Sequence, residues 1–135
     1  MDRNDISRAL AARLHARRDI VAAWLFGSTA RGDDLKDSDV DVAVLLASGP
    51  PSSIADHVAL TNLADELQIS VPRHIDVVAV NAAHPELVHR VLRDGILLHE
   101  TDHHRRILFE VKARNEFFDM QSIWDSYRHS VLESL

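Results

Sequence analysis

Three aspartates carry the chemistry that this sequence can perform. Asp39 and Asp41 stand two residues apart in Asp39-Val40-Asp41-Val42-Ala43-Val44, and Asp76 interrupts the apolar run His74-Ile75-Asp76-Val77-Val78-Ala79-Val80. In a strand, alternate side chains share a face, so Asp39, Asp41 and Ala43 point one way and Val40, Val42 and Val44 the other. Carboxylates so spaced lie about 6–7 Å apart at the backbone and repel unless a cation stands between them. Mg²⁺ suits them: it takes one or two protein carboxylates, keeps waters and accepts phosphate oxygens. Asp76 is costly in an apolar strand unless paired or coordinated. With its strand beside the second one, it completes a three-carboxylate cluster able to hold two ions across a phosphoryl displacement.

Upstream, Gly27-Ser28 follows the apolar run Ile20–Phe26. Gly27 lets the backbone approach a ligand, and Ser28 offers a hydroxyl and an amide to an anion. Several other readings fail on residue identity. Gly27 and Gly32 have Walker spacing, but Asp33-Asp34 stand where Lys and Ser or Thr are needed. Asp37, Asp39 and Asp41 begin like a calcium loop, but Val42 replaces its turn glycine and Ser48 its closing glutamate. His99-Glu100-Thr101-Asp102-His103 matches a zinc-protease string that requires one helix, yet Gly95 and an apolar run precede His99, and Thr101-Asp102 reads as a helix start. Ser28 lacks the Gly-x-Ser-x-Gly elbow of a hydrolase nucleophile. Arg93 and His99 have the Arg-x5-His spacing of some helical ribonucleases, but Gly95 breaks the helix such a site requires.

The positioning elements follow from periodicity and punctuation. Asp5–Arg17 reads as a first helix through Ile6, Leu10 and Leu14. Ile20–Phe26 reads as a buried strand, Thr29–Arg31 as one helical turn, Gly32–Ser38 as a polar loop and Asp39–Leu46 as the second strand. Ser48-Gly49-Pro50-Pro51-Ser52-Ser53 is a break, and Ser53 caps a helix running to about Gln68. His74–Val80 is the third strand. Pro85 starts a helix that Gly95 ends, and Ile96–His99 is a short edge strand. From Asp102 to about residue 134 the pattern predicts two helical pieces, the second carrying Ile123, Trp124, Tyr127 and Val131. The aromatics there fit core or partner packing. The fold class is α/β (α+β), a small mixed sheet flanked by helices.

Composition limits what such a site serves. The 135 residues suffice for one domain, residues 1–135, and 46% of them are hydrophobic. The absence of cysteine excludes disulfides and thiolate chemistry. No apolar run approaches the roughly 20 residues of a membrane helix. The N-terminus has no signal core, so a cytoplasmic protein without membrane partners is expected. A net charge of −6 without a basic stripe argues against direct nucleic-acid binding.

Gly27-Ser28, ten residues, then Asp39-Val40-Asp41 resembles the Gly-Ser-x10-Asp-x-Asp signature of the DNA polymerase β-like nucleotidyltransferase superfamily. Ala30-Arg31-Gly32, Ser38-Asp39 and Leu92-Arg93-Asp94-Gly95-Ile96-Leu97-Leu98 are similar to its minimal nucleotidyltransferase branch, over most of the chain to about residue 118. The resemblance implies that Asp39 and Asp41 bind two Mg²⁺ ions, that Asp76 binds the catalytic one and helps deprotonate the acceptor, and that Gly27 and Ser28 hold the triphosphate of ATP. Arg31 either touches phosphate or pairs with Asp33 or Asp34.

It further implies an antitoxin of a type VII HEPN/MNT toxin–antitoxin system, transferring AMP from ATP to a tyrosine of its all-helical HEPN ribonuclease toxin. The short remainder after Glu100 leaves no second domain to build a small-molecule pocket, and the C-terminal helices, about 102–134, are then candidates for partner contact. Two alternatives stay open: transfer to a small-molecule hydroxyl such as an aminoglycoside's, and a toxin-binding antitoxin without catalysis.

Overall fold

The computed structural model describes residues 1–35 and 38–135; Lys36 and Asp37, within the expected polar loop, lie outside the described residues. Helix α1 spans Arg3–Leu14. It starts at Asp2, whose carboxylate accepts from the Asp5 amide while Asp5 reaches back to the Asp2 amide, a capping box. It ends three residues before the expected Arg17. The Arg17 guanidinium turns instead to Asp19 and Glu66, each at 2.8 Å.

Strand β1 (Ile20–Phe26) runs directly into the one-turn helix α2 (Gly27–Arg31). Strand β2 (Val40–Leu46) and helix α3 (Ile54–Gln68) follow, the latter capped by Ser53 with Asp56 closing a second capping box. Strand β3 (Ile75–Ala79) leads through a tight turn to helix α4 (Pro85–Asp94) and strand β4 (Ile96–Glu100). Gly95 ends α4 as expected, but not through a left-handed cap, its φ being −73°. A Cβ there would lie 2.2 Å from the Val91 carbonyl, so close backbone approach demands the glycine.

The C-terminal region differs from the two expected pieces. Asp102 caps one helix, α5, that runs unbroken from His103 to Glu133. No glycine or proline falls in this stretch, so nothing interrupts its hydrogen-bond ladder.

The sheet order is β3-β2-β1-β4. Strand β1 pairs antiparallel with β2 and β4, and β2 pairs parallel with β3, so the sheet is mixed. Both faces are covered. Ile6, Leu10 and Leu14 of α1 and Leu63 and Leu67 of α3 pack against Val40, Val42 and Val44. On the other face Val88 and Val91 of α4 and Ala113 of α5 pack against Trp24, Ala43 and Leu45. This double coverage explains why β1 is apolar throughout rather than alternating. It leaves the face shared by Asp39, Asp41 and Ala43 free of α1 and α3. No helix among the described residues is long and apolar enough to cross a membrane.

Candidate active site

Parallel pairing of β2 with β3 brings Asp41 opposite Asp76. Asp39 immediately precedes β2, so all three aspartates gather at one end of the two strands. Asp41 is half-buried. Its carboxyl is raised above the ordinary carboxylate range, first by burial and then by the negative charges of Asp76 and Asp39, with Arg31 opposing. Crowded carboxylates with one driven toward its protonated form constitute a donor set that a divalent cation relieves.

Asp41 also pairs with Phe26, the last residue of β1. That register sets Gly27 against its carboxylate. A Cβ on Gly27 would stand 2.3 Å from Asp41 Oδ2, and the backbone there is left-handed, φ +75°. Ser28 follows in the first turn of α2, and its carbonyl accepts from the Asp33 amide, folding the chain back toward the cluster. Arg31 takes the second of its two expected roles in part: Nε lies 3.4 Å from Asp33 Oδ2. Asp34 belongs to a different partner.

That partner is Arg73, which the sequence reading missed. Its Nη1 donates to Asp34 at 2.8 Å, and Nε and Nη2 donate to the Ser38 carbonyl at 2.9 and 2.6 Å. The Arg73 hydrogen bond holds the Asp34 carboxyl below its usual range. Ser38 adjoins Asp39, so Arg73 anchors the approach to the first catalytic candidate. A part-buried arginine between a helix and a strand gives no local sequence signal.

His74 was missed as well, and here a signal existed. Asp39, His74 and Asp76 each present a donor atom, all within 4.8 Å of one another. His74 stands two residues before Asp76, the same alternation that groups Asp39 with Asp41. His99 and His103 fall on β4 and α5, so the zinc-protease string lies on two elements. Arg93 and His99 are likewise separated, on α4 and β4.

A mixed sheet with helices on both faces and acidic residues gathered beside a Gly-Ser turn defines a nucleotidyltransferase. Residues 9–104 match the family model described as Polymerase beta, Nucleotidyltransferase, and the chain belongs to that family. It is 31% identical over 96 residues to a candidate protein adenylyltransferase of Methanocaldococcus jannaschii, covering 71% of this chain and 97% of that one. It is 30% identical over 99 residues to the protein adenylyltransferase MntA of Shewanella oneidensis, covering 73% and 67%. A crystal structure of a toxin–antitoxin with AMP-PNP contains a chain of similar fold. Its TM-score is 0.70 at 25% identity, covering 98% of this chain and 99% of that one.

Proposed function

We propose that this enzyme transfers AMP from ATP to a tyrosine hydroxyl of a HEPN ribonuclease toxin, and so acts as that toxin's antitoxin in the cytoplasm. The observation that carries the reading is Asp41 held between Asp76 on one side and Gly27 on the other. One contact supplies the acidic site and the other the phosphate turn. The likeness to two protein adenylyltransferases and to a toxin–antitoxin structure supports the acceptor class.

In this reading Asp39, Asp41 and Asp76 hold two Mg²⁺ ions, which when bound neutralise the triphosphate and favour loss of pyrophosphate. Gly27 and Ser28 seat the triphosphate, and Arg31, exposed beside Asp33, adds charge to it. The tyrosine oxygen forms a bond to the α-phosphorus as the bond to pyrophosphate breaks, and Asp76 takes the tyrosine proton. The protein supplies position and charge rather than a covalent intermediate.

Residues 1–135 act as one catalytic domain whose last helix meets the partner. Helix α5 has 31 residues and so extends about 46 Å. Phe109 and Ala113 pack on the sheet, and the same stripe continues through Phe117, Met120, Trp124, Tyr127 and Val131 at steps of three and four. Trp124 and Tyr127 are 57% and 61% exposed and pack edge to face. Steps of three and four place these residues along one face of the helix, the spacing by which one helix packs on another.

Incubation of the toxin with this protein, ATP and Mg²⁺, read by intact mass, should add AMP to the toxin, and Asp39→Asn with Asp41→Asn should abolish the addition. Unchanged labelling by that variant would sink the assignment. Full neutralisation of the toxin by a variant lacking all three aspartates would instead favour inhibition by contact. Labelling of an aminoglycoside but not of the toxin would favour the small-molecule acceptor.

A further inference from the structure

We infer that His74 is a metal ligand of this site, turning the ion between Asp39 and Asp76 toward a divalent first-row transition metal, with Mn²⁺ preferred over Mg²⁺. The inference rests on the metal-site reading above and adds a residue to it.

Backbone geometry places the ring. His74 immediately precedes β3 as Asp39 immediately precedes β2, and the parallel ladder begins at Val40 opposite Ile75. The Val40 amide donates to the His74 carbonyl at 2.9 Å, which locks the two approaches side by side. Alternation then sends His74 to the face of Asp76, while Ile75 between them enters the core.

The ring lies where an ion would need it. His74 Nδ1 is 3.4 Å from Asp39 Oδ1 and 3.6 Å from Asp76 Oδ1. Neighbouring ligands of a six-coordinate ion with bonds of about 2.1 Å stand about 3 Å apart. Shifts of about half an ångström bring both carboxylates to that separation from Nδ1, and the donor atoms of the three residues all lie within 4.8 Å of one another. All three side chains are exposed and free to make that adjustment.

Donor chemistry sets the preference. Mg²⁺ favours oxygen ligands and strict octahedral geometry. Imidazole nitrogen strengthens binding along the first-row series, in which Mn²⁺ is the weakest member and so a conservative probe. A two-carboxylate, one-imidazole set thus discriminates between ions where three carboxylates would do so less.

The test is Mn²⁺ binding by the full chain without nucleotide, followed by pulsed electron paramagnetic resonance and by titration, with Mg²⁺ as competitor. Bound Mn²⁺ in the unaltered protein should show nitrogen coupling from a directly ligated imidazole. His74→Ala should remove that coupling, weaken Mn²⁺ about tenfold and lower the Mn²⁺-over-Mg²⁺ preference. His74→Gln, which returns an oxygen donor, should recover affinity without the nitrogen signal. Loss of Mn²⁺ binding in Asp39→Asn with Asp76→Asn confirms the ion's location. If that pair loses binding while His74→Ala keeps both the coupling and the preference, the role of His74 is overturned and the metal site stands. If the aspartate pair still binds Mn²⁺ unchanged, the ion lies elsewhere and both readings fall.

Discussion

Gly27 and Asp41 are in such close register that a single methyl on Gly27 would stand 2.3 Å from Asp41 Oδ2. Pairing of Phe26 with Asp41 creates this contact, and the left-handed backbone at Gly27 permits it. Gly27→Ala therefore carries two penalties. The left-handed conformation costs about 1–2 kcal/mol in any non-glycine residue. The methyl also displaces the Asp41 carboxylate, and misplacement by about 1 Å costs on the order of a hundredfold in rate. Thermal unfolding should shift by only a few degrees, whereas AMP transfer should fall about a hundredfold. Transfer at the unaltered rate in a folded Gly27→Ala protein would show that this contact does not position the carboxylate.

Arg73 offers a test of positioning at a residue outside the acidic cluster. It joins Asp34 and the Ser38 carbonyl, and its Nη2 also lies 3.5 Å from Thr29 Oγ1 beneath the Gly-Ser turn. Its side chain is 13% exposed, so the loss is not made good by water. Arg73→Met should lower the melting temperature by roughly 5 °C, as expected for a lost cluster of charge-assisted hydrogen bonds in a domain of this size. It should also lower kcat more than it raises KM for ATP, because Asp39 loses its anchor while Gly27 and Ser28 remain. A fall in stability with kcat intact would make Arg73 a fold residue only.

The sheet and the three aspartates were legible because both rest on short-range rules. Alternation separated Asp39 and Asp41 from Val40, Val42 and Val44, and the structure buries those valines beneath α1 and α3. Ser53 and Pro85 marked helix starts through chemistry that acts within one turn, and Gly95 marked an end where the backbone approaches too closely for any other residue. What escaped depends on distant partners. Just past the end of α1, Arg17 reaches Glu66, 49 residues away. Arg73 reaches Ser38 across 35 residues. The sequence pattern does not show that α5 is continuous, because beyond Ala113 no side chain of the helix is buried against the domain to tie its second half to the first. His74 was within reach of the same alternation rule, and was passed over because histidine, unlike aspartate, does not look out of place beside a strand.

His99 makes stability respond to pH. It sits half-buried on β4 with Nε2 enclosed, and burial lowers its pKa below 6.5. The electrostatic influence of His15 and Arg18 pushes the same way, while a hydrogen bond to the Arg17 backbone and the charge of Glu100 oppose. The unfolded chain then binds the proton more readily than the folded one, so stability rises with pH across the interval between the two pKa values. The contribution is complete above about pH 6.5 and is lost as pH falls through the lower folded value. Urea midpoints at about pH 7.5 and about pH 5.5 should therefore differ, and His99→Gln should narrow the difference. An unchanged difference in that variant would assign the effect to other groups.

The exposed half of α5 separates binding from chemistry. Trp124 and Tyr127 contribute little to the core, so Trp124→Ala with Tyr127→Ala should leave the melting temperature within a few degrees of the unaltered protein. Removing a large aromatic that anchors an interface costs about 2 kcal/mol or more, and these two rings pack on each other and count as one anchor, which predicts a fall in toxin affinity of at least about thirtyfold. The aspartates lie at the sheet end and not on this stripe, so metal binding should be unaltered. AMP transfer should show raised KM for the toxin with kcat preserved at saturating toxin, because docking is weakened while the reacting groups stay in place. Calorimetric titration of toxin and steady-state transfer measured on the same variant distinguish the outcomes. Equal affinity would remove α5 from the interface, and a lost kcat with intact affinity would mean that the helix orients the acceptor tyrosine rather than holding the toxin.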